Sequence, residues 1–119
     1  MTWYNRAMKP EITIEDFAKL DLRVGTVKEA TRKEGSEKLI RLTVDFGEEG
    51  TRTIFTALYP LFQPEEFLNK QFIFVFNLAP RKMMDEFSQG MIMAAEGPEG
   101  TRPIPLIPMV EAPDGSAIR

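Results

Sequence analysis

Within LIRLTVDF, residues 39–46, apolar and polar residues alternate without a break from Ile40 to Phe46. Ile40, Leu42, Val44 and Phe46 fall on one side and Arg41, Thr43 and Asp45 on the other, the period of two of a half-buried β-strand. GEEG at positions 47–50 then turns the chain into TRTIFTA, whose β-branched and aromatic residues make it the expected hairpin partner.

Three further segments carry strand signals. QFIFVFNL is apolar on both faces and reads as a central, doubly covered strand, and GMIMAA reads as another, entered at Gly90. LRVGTVKEATRK alternates at Leu22 and Val24, slips at Gly25-Thr26 and resumes at Val27, the pattern of a bulged, strongly bent strand with Gly25 as the expected bend. TRPIPLIP can be extended, but prolines 103, 105 and 108 confine it to a sheet edge. LYPLFQPEEFLNK is a compact connection with a helical turn expected from Pro64 to Leu68. Ahead of the strands, ITIEDFAKL begins a helix of about two turns. Thr13 and Asp16 make a capping box there, and Ile12 and Phe17 take the positions of a hydrophobic staple.

Five strands with one short N-terminal helix, in 119 residues, predict an all-β fold. A five-stranded OB-fold barrel is the economical choice, since closure removes most exposed strand edges; a β-sandwich is the alternative. Residues 1–119 are expected to form one domain, with 1–11 as an N-terminal arm and 103–119 as a C-terminal extension.

The chain has no histidine and no cysteine, which removes the commonest metal ligands, every thiol nucleophile and the usual general base near neutral pH. No paired Asp/Glu spacing argues for a carboxylate metal site. The chain is therefore expected not to be an enzyme and to need no cofactor or metal. No apolar run approaches the length of a membrane helix and the first ten residues lack a secretory layout, so a cytoplasmic protein without a membrane partner is expected.

The 15 basic and 18 acidic residues give a net charge of −3, but their distribution is uneven. From Leu22 to Thr43 there are six basic residues (Arg23, Lys28, Arg32, Lys33, Lys38, Arg41) against three glutamates, +3, and Arg81 with Lys82 adds two more charges. From Asp85 to the end the balance is two basic against six acidic, −4. Because fields are screened beyond ~10 Å, a local positive patch can serve a polyanion on an acidic chain.

Taken in order, DFAKLDLRVGTVKEA, PEEFLNKQFIFVFNLAPRKMM and SQGMIMAA resemble the tRNA-binding domain found at the C-terminus of methionyl-tRNA synthetases and as small free-standing tRNA-binding proteins; the likeness covers residues 12–119. An export-related chaperone, CsaA, is a related branch. The resemblance implies an OB barrel, a homodimer closed through C-terminal segments, tRNA as ligand, and an accessory role beside another enzyme such as an aminoacyl-tRNA synthetase.

Carried over residue by residue, the resemblance implies tRNA binding by Asn77, Arg81, Lys82, Ser88 and Met91, with Lys38 from a facing loop; Arg23, Arg41 and Gln89 are weaker candidates. The chemistry fits the residue types. Arg81 and Lys82 would hold phosphates, projected from one place by Pro80. Ser88 and Gln89 can hydrogen-bond sugar or base edges, and Gly90 allows close backbone approach. Met91 equally suits core filling, and Asn77 equally suits bracing turn backbone. The dimer interface is expected at Trp3, Tyr4, Ile104, Leu106, Ile107, Met109 and Val110.

Two departures from the family stand out. KEGSEKL, 33–39, keeps only the Lys38-Leu39 end of the family's His-Pro-Asn-Ala-Asp-Lys-Leu run. Asp85 stands where relatives carry glycine, with Glu86 beside it; these carboxylates are expected either to repel phosphate or to orient Arg81 and Lys82 through ion pairs. The alternative function is peptide binding by a chaperone, favoured by seven methionines and nine phenylalanines.

Overall fold

The computed structural model describes residues 8–98 and 103–119. Five strands form a nearly closed antiparallel OB-like barrel in the order β3-β2-β1-β4-β7: β1 (Leu22–Arg32), β2 (Ile40–Asp45), β3 (Thr51–Thr56), β4 (Gln71–Val75) and β7 (Met91–Ile92). Between β4 and β7 a small hairpin, β5 (Arg81–Met83) and β6 (Glu86–Ser88), projects from the barrel. β8 (Ala94–Ala95) pairs with β9 (Ile104–Pro105), and β10 (Ala117–Ile118) returns to pair with Leu22 and Arg23 of β1.

The strict alternation of β2 becomes strict burial, with Ile40, Leu42, Val44 and Phe46 fully enclosed. Their ladder with β3 pairs Ile40 with Thr56 and Asp45 with Thr51, and a 3-10 turn at Gly47–Glu49 joins the strands. Phe46 is the centre of the core. Its ring meets Phe74 and Phe76 edge-on, with centroids 5.4 and 5.0 Å away, the geometry in which positive ring edges face negative ring faces.

β1 is long enough to serve two neighbours. Its first half pairs with β4 and its second with β2, with a register shift between Val27 and Glu29. The bend expected at Gly25 therefore lies beyond it. Gly25 is fixed by packing instead: a Cβ there would stand 2.6 Å from Val44 Cγ1 and 2.7 Å from Phe46 Cε1, closer than carbon atoms approach.

The helix is shorter than expected, Ile14–Phe17, a single turn closed by the Thr13–Asp16 capping box. Ile12 stays 66% exposed, so the staple position does not shelter it. The turn after β3 likewise contracts to a 3-10 helix at Pro64–Glu66, with proline in its first turn. GMIMAA does not run as one strand: Met93 separates β7 from β8, its N–H bonded to Ile73 and its carbonyl to Leu106.

Candidate nucleic-acid interface

The barrel closes between β3 and the segment entering β7, where side chains replace a ladder. The Gln89 N–H donates to the Thr53 carbonyl (2.8 Å) and the Thr53 N–H donates to Gln89 Oε1 (2.9 Å), so one glutamine supplies both halves of a bridge. One step along, the Phe55 N–H donates to Ser88 Oγ (3.0 Å), and that hydroxyl donates to the Gly90 carbonyl (3.0 Å). Ser88 is only 3% exposed. Both residues expected at an RNA surface are thus committed to the seam.

Arg52, which the sequence reading did not single out, locks the same seam. Its guanidinium lies 3.5 Å from the Phe76 ring centroid and donates to the carbonyls of Phe76 (2.6 Å) and Gln89 (3.2 Å). It grips both ends of the 77–89 arm. Strand alternation puts it on the side of Ile54, opposite buried Val44, but the partner carbonyls lie 24 and 37 residues away and leave no trace in local pattern.

Asn77 opens that arm and is tied to the N-terminal turn. Its Oδ1 accepts from the Asp21 N–H (2.9 Å) and its Nδ2 donates to the Lys19 carbonyl (2.8 Å). Arg23 pairs with Asp21 through two nitrogens (2.8 and 3.2 Å), and this hydrogen bond, more than the surrounding charge, raises its pKa.

The adjacent cations do not project from one place. In β5 consecutive side chains point to opposite faces: Arg81, with its cross-strand partner Ser88, faces the barrel, whereas Lys82 lies opposite Phe87 on the outer face. Both are exposed, and neither makes an ion pair with the described residues. Lys38 is exposed as well, in a loop ordered by Ser36 Oγ, which accepts from the N–H groups of Lys38 (3.2 Å) and Leu39 (3.1 Å).

The carboxylates beside the clamp make no ion pair with Arg81 or Lys82. Asp85 pairs with Lys33 (2.6 Å), and Glu86 with Lys33 (2.7 Å) and Arg41 (3.0 Å). The physical reason is the fold, which lays the hairpin tip over the 33–36 loop and over β2, so the tip meets cations more than 40 residues away in sequence. The Lys33 ammonium, hydrogen-bonded to Asp85 and then Glu86, is raised above the usual lysine pKa. Asp85 is lowered first by its hydrogen bond to Lys33, and Glu86 by those to Lys33 and then Arg41. Arg41, a weaker RNA candidate, therefore braces the hairpin and also donates to Thr53 Oγ1 (3.4 Å).

Between the hairpin and the open end of the β2–β3 ladder lies a groove of about 500 Å3. Its lining includes Leu39, Phe55, Leu78, Met83 and Met91, together with Arg81. Arg81 is the one charged residue among its described lining, and it is a cation. Met91 is 49% exposed here, whereas its neighbour Ile92 is buried, so the strand divides contact surface from core.

The apolar dimer candidates Ile104, Ile107, Met109 and Val110 are exposed, at 51, 63, 98 and 74%. Leu106 is partly covered, its backbone bonded to Ile73 and Met93 of its own chain. Trp3 and Tyr4 lie outside the described residues.

A family model described as "Putative tRNA binding domain" matches residues 22–117. The chain is 41% identical over 112 residues to a methionine–tRNA ligase of Acidithiobacillus ferrooxidans, covering 94% of this chain and 16% of that protein. It is 47% identical over 89 residues to the ligase of Herminiimonas arsenicoxydans, covering 75% and 12%. It thus spans a small part of these relatives' length. Among solved structures, the MetRS-related protein of Pyrococcus horikoshii superposes with a TM-score of 0.84 at 38% identity, covering 93% of this chain and all of that one. The chaperone CsaA of Bacillus anthracis gives 0.83 at 32% identity, covering 92% and all of that chain. With a match that runs from the first residue of β1 into β10, over a barrel shared with these proteins, the chain belongs to the tRNA-binding domain family.

Proposed function

We propose that this chain binds folded tRNA through the β5–β6 hairpin and the adjoining groove, as a homodimeric accessory module that serves an aminoacyl-tRNA synthetase. The observation that carries the reading is the separation of charge at the hairpin. Asp85 and Glu86 are consumed by Lys33 and Arg41, while Arg81 and Lys82 remain open to phosphate on its two faces. Lys38 adds a third cation beside the groove wall at Leu39, and Met91 offers polarizable surface within it. Asn77, Ser88 and Gln89 act in this reading by holding the arm, not by touching RNA, and Arg23 joins them through Asp21. The module works in the cytoplasm, where its ligand resides, and needs neither catalysis nor cofactor of its own.

A filter-binding titration with total tRNA, 5S RNA and single-stranded DNA tests the reading, with tRNA expected to bind most tightly. Arg81→Ala and Lys82→Ala should each reduce the magnitude of the log K against log [salt] slope by somewhat under ~1, since each lost phosphate contact leaves counterions condensed. Unchanged slopes in both variants, with tRNA still bound, would rule out the hairpin as the clamp.

A second reading is supported by the groove itself, whose walls are apolar and include two methionines, and by the similarity to CsaA. A peptide-binding chaperone would hold extended apolar segments there. Binding of an unfolded apolar peptide that tRNA does not displace would favour it.

A further inference from the structure

We infer that the groove beside the hairpin is a slot for one unstacked nucleotide of a folded RNA, its base held between Met83, Met91 and Leu39 and its phosphate on Arg81. The inference rests on the tRNA-binding reading above and assigns this part of its surface. Four observations carry it.

The volume, about 500 Å3, falls in the range of sites that enclose small ligands and is too confined for a helical RNA stem. The walls are apolar and polarizable, matching a base face. Leu78 and Ala79 lie outside any strand, which leaves their backbone groups out of the ladder and available to a base edge. The charge is complementary: the described lining holds one cation, Arg81, and no carboxylate, on a chain of net charge −3.

The two acids nearest in sequence are already paired. Asp85 is bonded to Lys33 and Glu86 to Lys33 and Arg41, so the charge that the hairpin tip presents to a phosphate at Arg81 is balanced. Folded RNA offers unstacked bases at its loops and bulges, whereas a fully paired duplex keeps its bases in the stack. The slot therefore distinguishes the two by the presence of an extrudable nucleotide, and the cations alone do not.

The test is methyl NMR on the whole chain labelled with 13C-methyl methionine, titrated with total tRNA and, separately, with a fully paired RNA duplex. A base in the slot places its ring current on the Met83 and Met91 methyls, so both should move upfield with tRNA and stay in place with duplex. Filling the slot with Ala79→Phe, at an exposed position, should weaken tRNA binding about tenfold and lower the salt slope by no more than Arg81→Ala does. The methyl spectrum of the variant confirms that it is folded. If tRNA saturates the protein without moving either methyl, the slot is refuted and tRNA binding stands. If tRNA does not bind at all, the functional reading fails and takes the slot with it. Movement of the two methyls by an unfolded apolar peptide, and not by tRNA, overturns the slot in favour of peptide binding.

Discussion

Ser88 shows how a single hydroxyl can be read correctly for chemistry and differently for place. Its donor and acceptor capacity made it a candidate for sugar or base edges, and the fold spends both on Phe55 and Gly90 at the barrel seam. Ser88→Ala leaves the buried Phe55 N–H without its partner, which costs about 1–3 kcal/mol. Chemical denaturation should show that loss, while tRNA affinity measured well below the unfolding midpoint should change little. A Ser88→Ala protein of unaltered stability would show that the seam closes by other means. Asn77 belongs to the same class, since its carboxamide bridges Asp21 and Lys19. Residue type limits what a side chain can bond, and neighbours distant in sequence decide which bonds it makes.

At the scale of elements, the β5–β6 hairpin is joined to the barrel at its tip by charge. Met84, the first residue of its two-residue turn, has φ +63°, a left-handed conformation that glycine adopts more readily. Phe87 on its outer face is 55% exposed. What secures the tip is the Lys33–Asp85, Lys33–Glu86 and Arg41–Glu86 cluster. Asp85 and Glu86 both titrate below their ordinary values when folded, so their stabilising contribution is complete above the usual carboxylate range and disappears as pH falls through the depressed values. Protection of the residue 81–88 amides, taken relative to the intrinsic exchange rate at each pH, should therefore fall below about pH 4, ahead of that of the β1–β2 amides. Uniform loss of protection across both elements would show that the cluster does not govern the hairpin. Lys33→Met should bring the same local opening at neutral pH, because it removes the cation shared by both acids.

For the whole molecule, four large apolar residues of the C-terminal extension are exposed close together in sequence. Ile104, Ile107, Met109 and Val110 stand out from a segment otherwise fastened to the barrel through Gln71, Asp114 and β10. Such a patch is costly in water and supports the homodimer proposed above. Sedimentation equilibrium at tens of micromolar protein is expected to give twice the 13.6 kDa of the chain, and Ile107→Asp with Met109→Asp is expected to return it to that single mass. A wild-type monomer under those conditions would remove the dimer from the proposal.

The alternation in β2, the turn at 47–50, the capping box and the prolines of the last segment were legible in the sequence because each depends on neighbours within a few residues. Together with the ordered motifs they determined an all-β barrel and its family. What the sequence left open was settled by contacts between distant segments: the close packing of Gly25 against Val44 and Phe46, the seam made by Ser88, Gln89 and Arg52, and the pairing of Asp85 and Glu86 with Lys33 and Arg41. Strand alternation could have placed Arg81 and Lys82 on opposite faces had β5 been recognised, but three residues are too few to show a period. Local patterns specify which backbone forms each segment can adopt; the partner of a charge or a buried hydroxyl is fixed only when the barrel closes and brings the two segments together.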